Sequence, residues 1–231
     1  PDATRWYMIS NANPWDNLKF DIDGIAEVRN KFFGTLYNTY GFFSLYANLD
    51  NFEYAEADVP SEKRPEIDRW VLSELNTLIL EVDQAYGDYE PTRAARAISK
   101  FVQENLSNWF VRLSRRRYWK GDYAEDKISA YQTLYTGLVT VAQLGAPIAP
   151  FFMDRLYRDL TSGVTLSAVE ASVHISDFPK ADTSLIDKVL ERKMQRAQTI
   201  SSLVLSLRQR EKIKVRQPLQ KVMVPVLDEI T

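Results

Sequence analysis

Between Trp109 and Lys120 the chain carries five basic residues, Arg112, Arg115, Arg116, Arg117 and Lys120, and no acid. Guanidinium groups offer forked donors matched to phosphate and also stack on bases, so the cluster has the chemistry of a nucleic-acid contact. Placed at 100° per residue on a helix, Asn108, Arg112, Arg115 and Trp119 fall within about 60° of one another, a line of donors ending in an indole. An exposed indole gives an unpaired base a flat surface on which to stack. On the other side Val102, Leu106, Trp109, Phe110 and Leu113 form the apolar face expected to meet a core. The segment by itself leaves a plainer reading open, a solvated arginine face with Trp119 tucked under a neighbouring helix, and Phe101 projects near that same side. Two further basic stretches, Lys188 to Arg196 and Arg208 to Arg216, lie on amphipathic segments where Lys and Arg are ordinary surface residues.

The rest of the chain offers little for catalysis. It has no cysteine and one histidine, His174, which removes disulfides, thiolate metal sites and imidazole clusters. No phosphate-cradling glycine loop, metal-spaced ligand set or apolar pair of carboxylates is found, and Asp122, Glu125 and Asp126 read as acids at a helix N-terminus. No catalytic residue, metal or cofactor is therefore expected in this chain, and His174 is expected to be structural. The formal net charge of -2 is unlike that of most nucleic-acid binders, but the charge is segregated. Asp50 to Asp58 holds four acids and no base, the reverse of the Trp109 to Lys120 stretch.

The elements that must position these residues are helices. At 231 residues and 45% hydrophobic content, with 8 glycines, the chain can bury a large core, and its apolar positions recur at three and four residues. The spacing predicts a short helix near Thr4 to Ser10 and a second, strongly aromatic one from Asp23 to about Asn48. Others run from Pro65 to Gly87, from Pro91 toward Trp119, and from Glu125 to a break at Pro147 and Pro150 with continuation to about Leu160. A last one covers Thr183 to Arg210. Ser172 to Ser176 alternates and predicts a short extended segment, and Gln217 to Leu227 is rich in β-formers. The expected architecture is mainly α, an up-and-down bundle of long antiparallel helices with small irregular or β appendages. Three segments are expected: 1–60 as a connecting piece ending in the acidic stretch, 61–212 as the bundle, and 213–231 as the start of a C-terminal region. The apolar run from Leu134 to Phe152 is broken by two prolines and several polar residues, so it reads as a buried bundle helix and not a membrane span. Without a secretory leader or cysteines, a cytoplasmic location is expected.

The stretch Asn108-Trp109-Phe110-Val111-Arg112-Leu113-Ser114-Arg115-Arg116-Arg117-Tyr118-Trp119 resembles the NWYVRxSRRRxW signature of bacterial-type isoleucyl-tRNA synthetases, with Phe110 in place of the usual tyrosine. Arg5-Trp6-Tyr7 with Asn13-Pro14-Trp15, Asn30 to Asn38, Asp68 to Ser73, Ala146 to Phe151, Ser172-Val173-His174 and Lys214 to Leu219 are similar to that family in the same order. The resemblance implies the helical anticodon-binding part of a class I enzyme that attaches isoleucine to tRNA using ATP. The family's HIGH and KMSKS elements and its zinc-binding extension do not occur in this sequence, so ATP and zinc are expected only in other parts of such a protein. The implied partners are the anticodon arm of the isoleucine tRNA and the parent catalytic domain, with no membrane and a monomeric state. Asn108, Arg112, Arg115, Arg116, Trp119 and Lys120 are expected at the anticodon loop, and Arg5, Lys19 and Lys31 near the stem. Valyl and leucyl enzymes share such a bundle, and a helical protein-interaction scaffold using aromatic and acidic surfaces is the alternative of a different class.

Overall fold

In the computed structural model, which describes residues 1–161 and 172–224, the chain is helical throughout its regular parts and has no strand among the described residues. It divides into two compact units, Pro1–Ile186 and Asp187–Thr231.

The first unit begins with α1 (Asp2–Asn11), whose Trp6 and Tyr7 are buried. Next comes α2 (Ile22–Val28), which passes without a break through a wide i→i+5 turn at Arg29–Phe33 into α3 (Gly34–Asp50). The wide turn points two consecutive aromatics inward. Phe32 stacks on Trp6 with ring centroids 4.2 Å apart, and Phe33 meets Phe152 edge-on at 4.9 Å. The α1–α2 loop is held by one side chain: Tyr7 donates its hydroxyl to the Lys19 carbonyl (3.2 Å) and accepts from the Asp21 amide (3.1 Å). Gly24 lets that ring in, since a Cβ there would lie 2.3 Å from Tyr7 Cε2.

Asn51, in the left-handed region at φ 54°, ends α3, and the acidic stretch that follows is irregular but pinned. Gln132 accepts from the Val59 amide and donates to the Ala57 carbonyl, while Arg64 donates to the Val59 carbonyl and to Thr133. These bonds, with Lys127 and Tyr131 both reaching Asp50, satisfy a loop that has no secondary structure of its own.

Helix α4 (Glu66–Gly87) follows Pro65 and buries Trp70, Leu75, Leu78 and Val82 on one stripe. Then α5 (Pro91–Lys100), begun by a proline at its first position, runs through a second i→i+5 segment, Phe101–Val111, into α6 (Arg112–Trp119) as one continuous helix. Gly121, at φ 86°, turns the chain into α7 (Glu125–Gly145). The expected proline break is there: α7 stops at Gly145 and α8 (Pro150–Thr161) restarts at Pro150. Among the described residues no helix is long and apolar enough to cross a membrane.

Both expectations of extended structure fail. Ser172 to Ser176 is not extended but curls into a 3₁₀ turn at Val173–Ile175, because Asp154 Oδ1 accepts from both the Ser172 hydroxyl (2.7 Å) and the Val173 amide (3.0 Å), and Ser172 in turn caps His174. His174 is exposed, its Nε2 3.2 Å from the Pro150 carbonyl. The β-rich run from Gln217 also forms no strand as far as Val224, and its last three residues lie outside the described ones.

The second unit contains α9 (Lys188–Arg210), capped by the Asp187 carboxylate, which accepts from the Val189 and Leu190 amides. The helix expected from Thr183 is thus interrupted: Thr183–Leu185 is a separate 3₁₀ turn closed by Asp182.

Candidate nucleic-acid interface

The continuous helix from Pro91 to Trp119 is anchored along one side and bare along the other. At its start, Thr92 donates to the carbonyls of Ile9 (2.7 Å) and Ala12 (3.1 Å), and Arg96 donates to those of Ser10 (2.8 Å) and Asn11 (3.0 Å). These are carbonyls at the end of α1 that lack a helical partner, so one helix caps another. Further along, Trp6 Nε1 donates to Ser99 Oγ (3.0 Å). Leu106 lies against Gly137 on α7, where a Cβ would approach it to 3.2 Å.

The core side of this helix obeys a period of four. Val102, Leu106, Phe110, Ser114 and Tyr118 are all buried. In an ordinary α-helix, four residues overshoot a full turn by about 40°, so Val102 and Tyr118 would point to opposite sides. The i→i+5 segment holds more residues per turn and keeps the row nearly in line. The same geometry corrects one expectation: Leu113, placed on the core face by uniform 100° steps, is 56% exposed, and Trp109 is half-buried. Phe101 is buried and does not cover the opposite face.

The end of the helix is locked by Arg117 and Tyr118. Arg117 forms a forked pair with Asp68 of α4, Nη1 to Oδ1 at 2.5 Å and Nη2 to Oδ2 at 2.9 Å, and also donates to the Asp126 carboxylate (3.1 Å) and carbonyl (2.8 Å). Ser129 adds a hydrogen bond to Asp68 Oδ2 at 2.6 Å. Burial lowers the Arg117 pKa, and the hydrogen bonds and charge of Asp68, then of Asp126, more than reverse this, holding it above its ordinary value. Tyr118, enclosed between Phe42 and Tyr131, donates to the Ala130 carbonyl (2.8 Å), and burial pushes its hydroxyl pKa well up.

With Arg117 and Tyr118 turned inward, their neighbours must face out. Asn108, Arg112, Arg115, Arg116, Trp119 and Lys120 are all exposed, and among the described residues Arg112, Arg115, Arg116 and Lys120 form no ion pair. Trp119 is 52% exposed rather than tucked beneath a neighbour. The structure therefore brings these six residues onto one open face: fixed charges and an amide, with an indole at the end. The triple arginine divides into two outward cations and one internal strut, a division that sequence spacing did not assign.

The three N-terminal candidates are placed separately. Arg5 is engaged, bonded to Asp2 at 3.1 Å and lying 5.2 Å from the Phe151 ring centroid, although it keeps solvent contact. Lys19 is exposed on the loop stapled by Tyr7. Lys31, in the first wide turn and paired with Glu27 at 2.5 Å, lines a groove of about 550 Å³ together with Ser99 and Gln103 of the long helix. Sequence reasoning passed over Arg96 and Lys100, which are also exposed on the long helix; their spacing of four from Arg112 by way of Glu104 and Asn108 was the available signal. Among the described residues no group of His, Cys, Asp or Glu side chains is arranged to hold a metal ion.

Comparison with known proteins gives a consistent picture. The family model described as the anticodon-binding domain of tRNA ligase matches residues 68–223. The chain is 64% identical over 228 residues to the isoleucine–tRNA ligase of Bacteroides thetaiotaomicron and 65% identical over 228 residues to that of Porphyromonas gingivalis, in each case covering 99% of this chain and 20% of the relative. The chain thus spans about one fifth of the length of the curated relatives it matches. Among solved structures, the ternary complex of Agrobacterium radiobacter K84 agnB2 LeuRS with tRNA and LeuAMS shares the fold at a TM-score of 0.52, with 17% identity, over 80% of this chain and 20% of that one.

Proposed function

Because this chain belongs to the anticodon-binding domain family of tRNA ligases, we propose that it grips the anticodon arm of a tRNA, that of isoleucine, within a protein that joins isoleucine to tRNA using ATP. The observation that carries this reading is the open face of α6: cations without acidic partners among the described residues, beside a half-exposed indole, held in place by the half-buried Arg117 and the buried Tyr118. Arg112, Arg115, Arg116 and Lys120 hold backbone phosphates and set affinity and orientation. Asn108 and Trp119 reach the unpaired bases of the loop, the first by hydrogen bonding and the second by stacking. Arg5, Lys19 and Lys31, in the segment 1–60, lie toward the stem, and Lys31 is the best placed because its groove adjoins the long helix. The segment 61–212 reads the loop, and 213–231 leads toward a C-terminal region. Aminoacylation, its ATP and any zinc belong to other parts of the protein, the catalytic domain is the covalent partner, and the whole acts as a cytoplasmic monomer.

The test is a titration of the isoleucine tRNA and a non-cognate tRNA against the chain and its Arg115→Ala, Trp119→Ala double variant at two salt concentrations. The expected result is cognate preference and salt-sensitive binding, both weakened in the variant, with the log–log salt slope flatter by roughly 0.7 to 0.9 for the lost phosphate contact. An unchanged affinity in the variant refutes the site.

A further inference from the structure

The exposed side of the long helix extends well beyond the residues assigned to the loop. Arg96, Lys100, Glu104, Asn108, Arg112, Arg116 and Lys120 recur every fourth residue, and every one is exposed. They are the solvent counterpart of the buried row Val102 to Tyr118, kept in line by the same i→i+5 segment. Five of the seven are cationic. The row has a basic group at each end and, between them, one acid and one amide.

We propose that this row is one continuous RNA track, in which Arg96 and Lys100 form a second foothold for backbone phosphates and Glu104 marks the gap where no phosphate sits. The inference rests on the reading of α6 as the anticodon-loop site and extends it toward the stem. Lys100 has no hydrogen-bond or ion-pair partner among the described residues, so its ammonium is available. Arg96 commits Nε and Nη2 to the carbonyls at the end of α1, but those acceptors are neutral, so its full charge remains at the surface. Lys100 and Arg112 are separated along the axis by at most roughly 18 Å at α-helical rise. That distance is longer than one nucleotide, so the two footholds engage different stretches of the strand, one at the unpaired loop and one toward its stem.

The charge around the second foothold narrows the track. Arg96 and Lys100 line a groove of about 430 Å³ whose far wall carries Glu74 and Glu81 of α4, and Arg93 on the near side is already paired with Glu90 and Asp88. A polyanion is repelled from that wall and confined to the ridge. Glu104 likewise repels a phosphate placed over it, while its oxygens accept hydrogen bonds from the amino edge of a base. The track thus has a register, cation–gap–cation, that a uniform basic stripe lacks.

The experiment measures binding of an anticodon stem-loop RNA with the isoleucine sequence and of a scrambled-loop stem-loop, across a salt series, to the full chain and to Lys100→Ala, Glu104→Gln and Arg112→Ala. Lys100→Ala is expected to weaken both RNAs several-fold and equally, and to flatten the salt slope by roughly 0.7 to 0.9, the signature of a lost phosphate contact without base reading. Glu104→Gln is expected to tighten the scrambled RNA more than the matched one. Unchanged affinity and slope in Lys100→Ala, with Arg112→Ala impaired, overturns the second foothold and leaves the loop site standing. If Arg112→Ala is also without effect, the loop site fails and the track fails with it. Equal or weaker binding of both RNAs by Glu104→Gln overturns the register.

Discussion

Arg116 and Arg117 are neighbours of the same type, and replacing each by alanine is expected to produce opposite phenotypes. The Asp68 carboxylate is fully buried and accepts three hydrogen bonds, two from the Arg117 fork and one from Ser129. Arg117→Ala removes both charged donors and leaves a buried anion with one hydroxyl. Breaking a buried pair from one side costs about 3–5 kcal/mol, most of it the desolvation of the stranded charge. For a chain of this size each kcal/mol lowers the melting temperature by roughly 2–4 °C, so the expected drop is roughly 6–20 °C. Arg116 is exposed and makes no ion pair among the described residues, so Arg116→Ala is expected to change stability by no more than about 0.5 kcal/mol. The RNA phenotypes reverse: Arg116→Ala loses affinity with a flatter salt slope while remaining folded. Arg117→Lys should fall between, because an ammonium keeps the charge but cannot form the fork. Thermal melts followed by far-UV circular dichroism, beside RNA titrations of the same samples, read both effects. Melting of Arg117→Ala within about 2 °C of the parent, or an Arg116→Ala variant as unstable as Arg117→Ala, refutes the assignment of strut and contact.

Two other perturbations test the scaffold that holds the site. Gly24→Ala drives a methyl group to 2.3 Å from the Tyr7 ring and is expected to cost about 1–3 kcal/mol by overpacking. Because that ring staples the α1–α2 loop, increased proteolysis between residues 12 and 21 should accompany the loss, and unchanged stability and cleavage would count against the staple. The Asp154 carboxylate, raised by partial burial but lowered more by the Ser172 hydroxyl, the Val173 amide and Arg158, has a folded pKa below its ordinary 3.8. A depressed acid stabilises above its unfolded value, so the contribution is whole at neutral pH. It is lost as the pH falls from about 3.8 through the lower folded value. Asp154→Asn is expected to be less stable at neutral pH and to show a shallower acid transition, measured by urea melts at several pH values; parallel acid profiles would refute the linkage.

Much of this was legible in the sequence. Proline at the first helical position, the proline break after Gly145 and the apolar stripe of α4 each follow from local chemistry, and each element forms where that chemistry puts it. The exposed line Asn108, Arg112, Arg115 and Trp119 could be read from spacing because most of it lies in ordinary α-helix or at its edge. Long-range pairing could not be read. Nothing in the spacing says that Arg117 rather than Arg116 finds Asp68, forty-nine residues away, or that Asp154 collects Ser172 and Val173 and curls a segment whose alternation suggests a strand.

The helical period itself carries the remaining lesson. A uniform 100° step put Leu113 inside and missed Arg96 and Lys100, yet the pattern that corrects it was present: buried side chains at 102, 106, 110, 114 and 118 and polar ones at 96, 100, 104, 108, 112, 116 and 120. A strict four-residue repeat sustained through five members cannot be seated on one side of a straight α-helix, because the accumulated drift of about 160° would bury the last member opposite the first. Either the row is not a face or the helix is underwound, and the apolar character of Val102, Leu106, Phe110 and Tyr118 requires a face. The wide segment Phe101–Val111 is thus the backbone's answer to a side-chain repeat, and it aligns the cations on the outer face as a consequence of packing the apolar residues on the inner one.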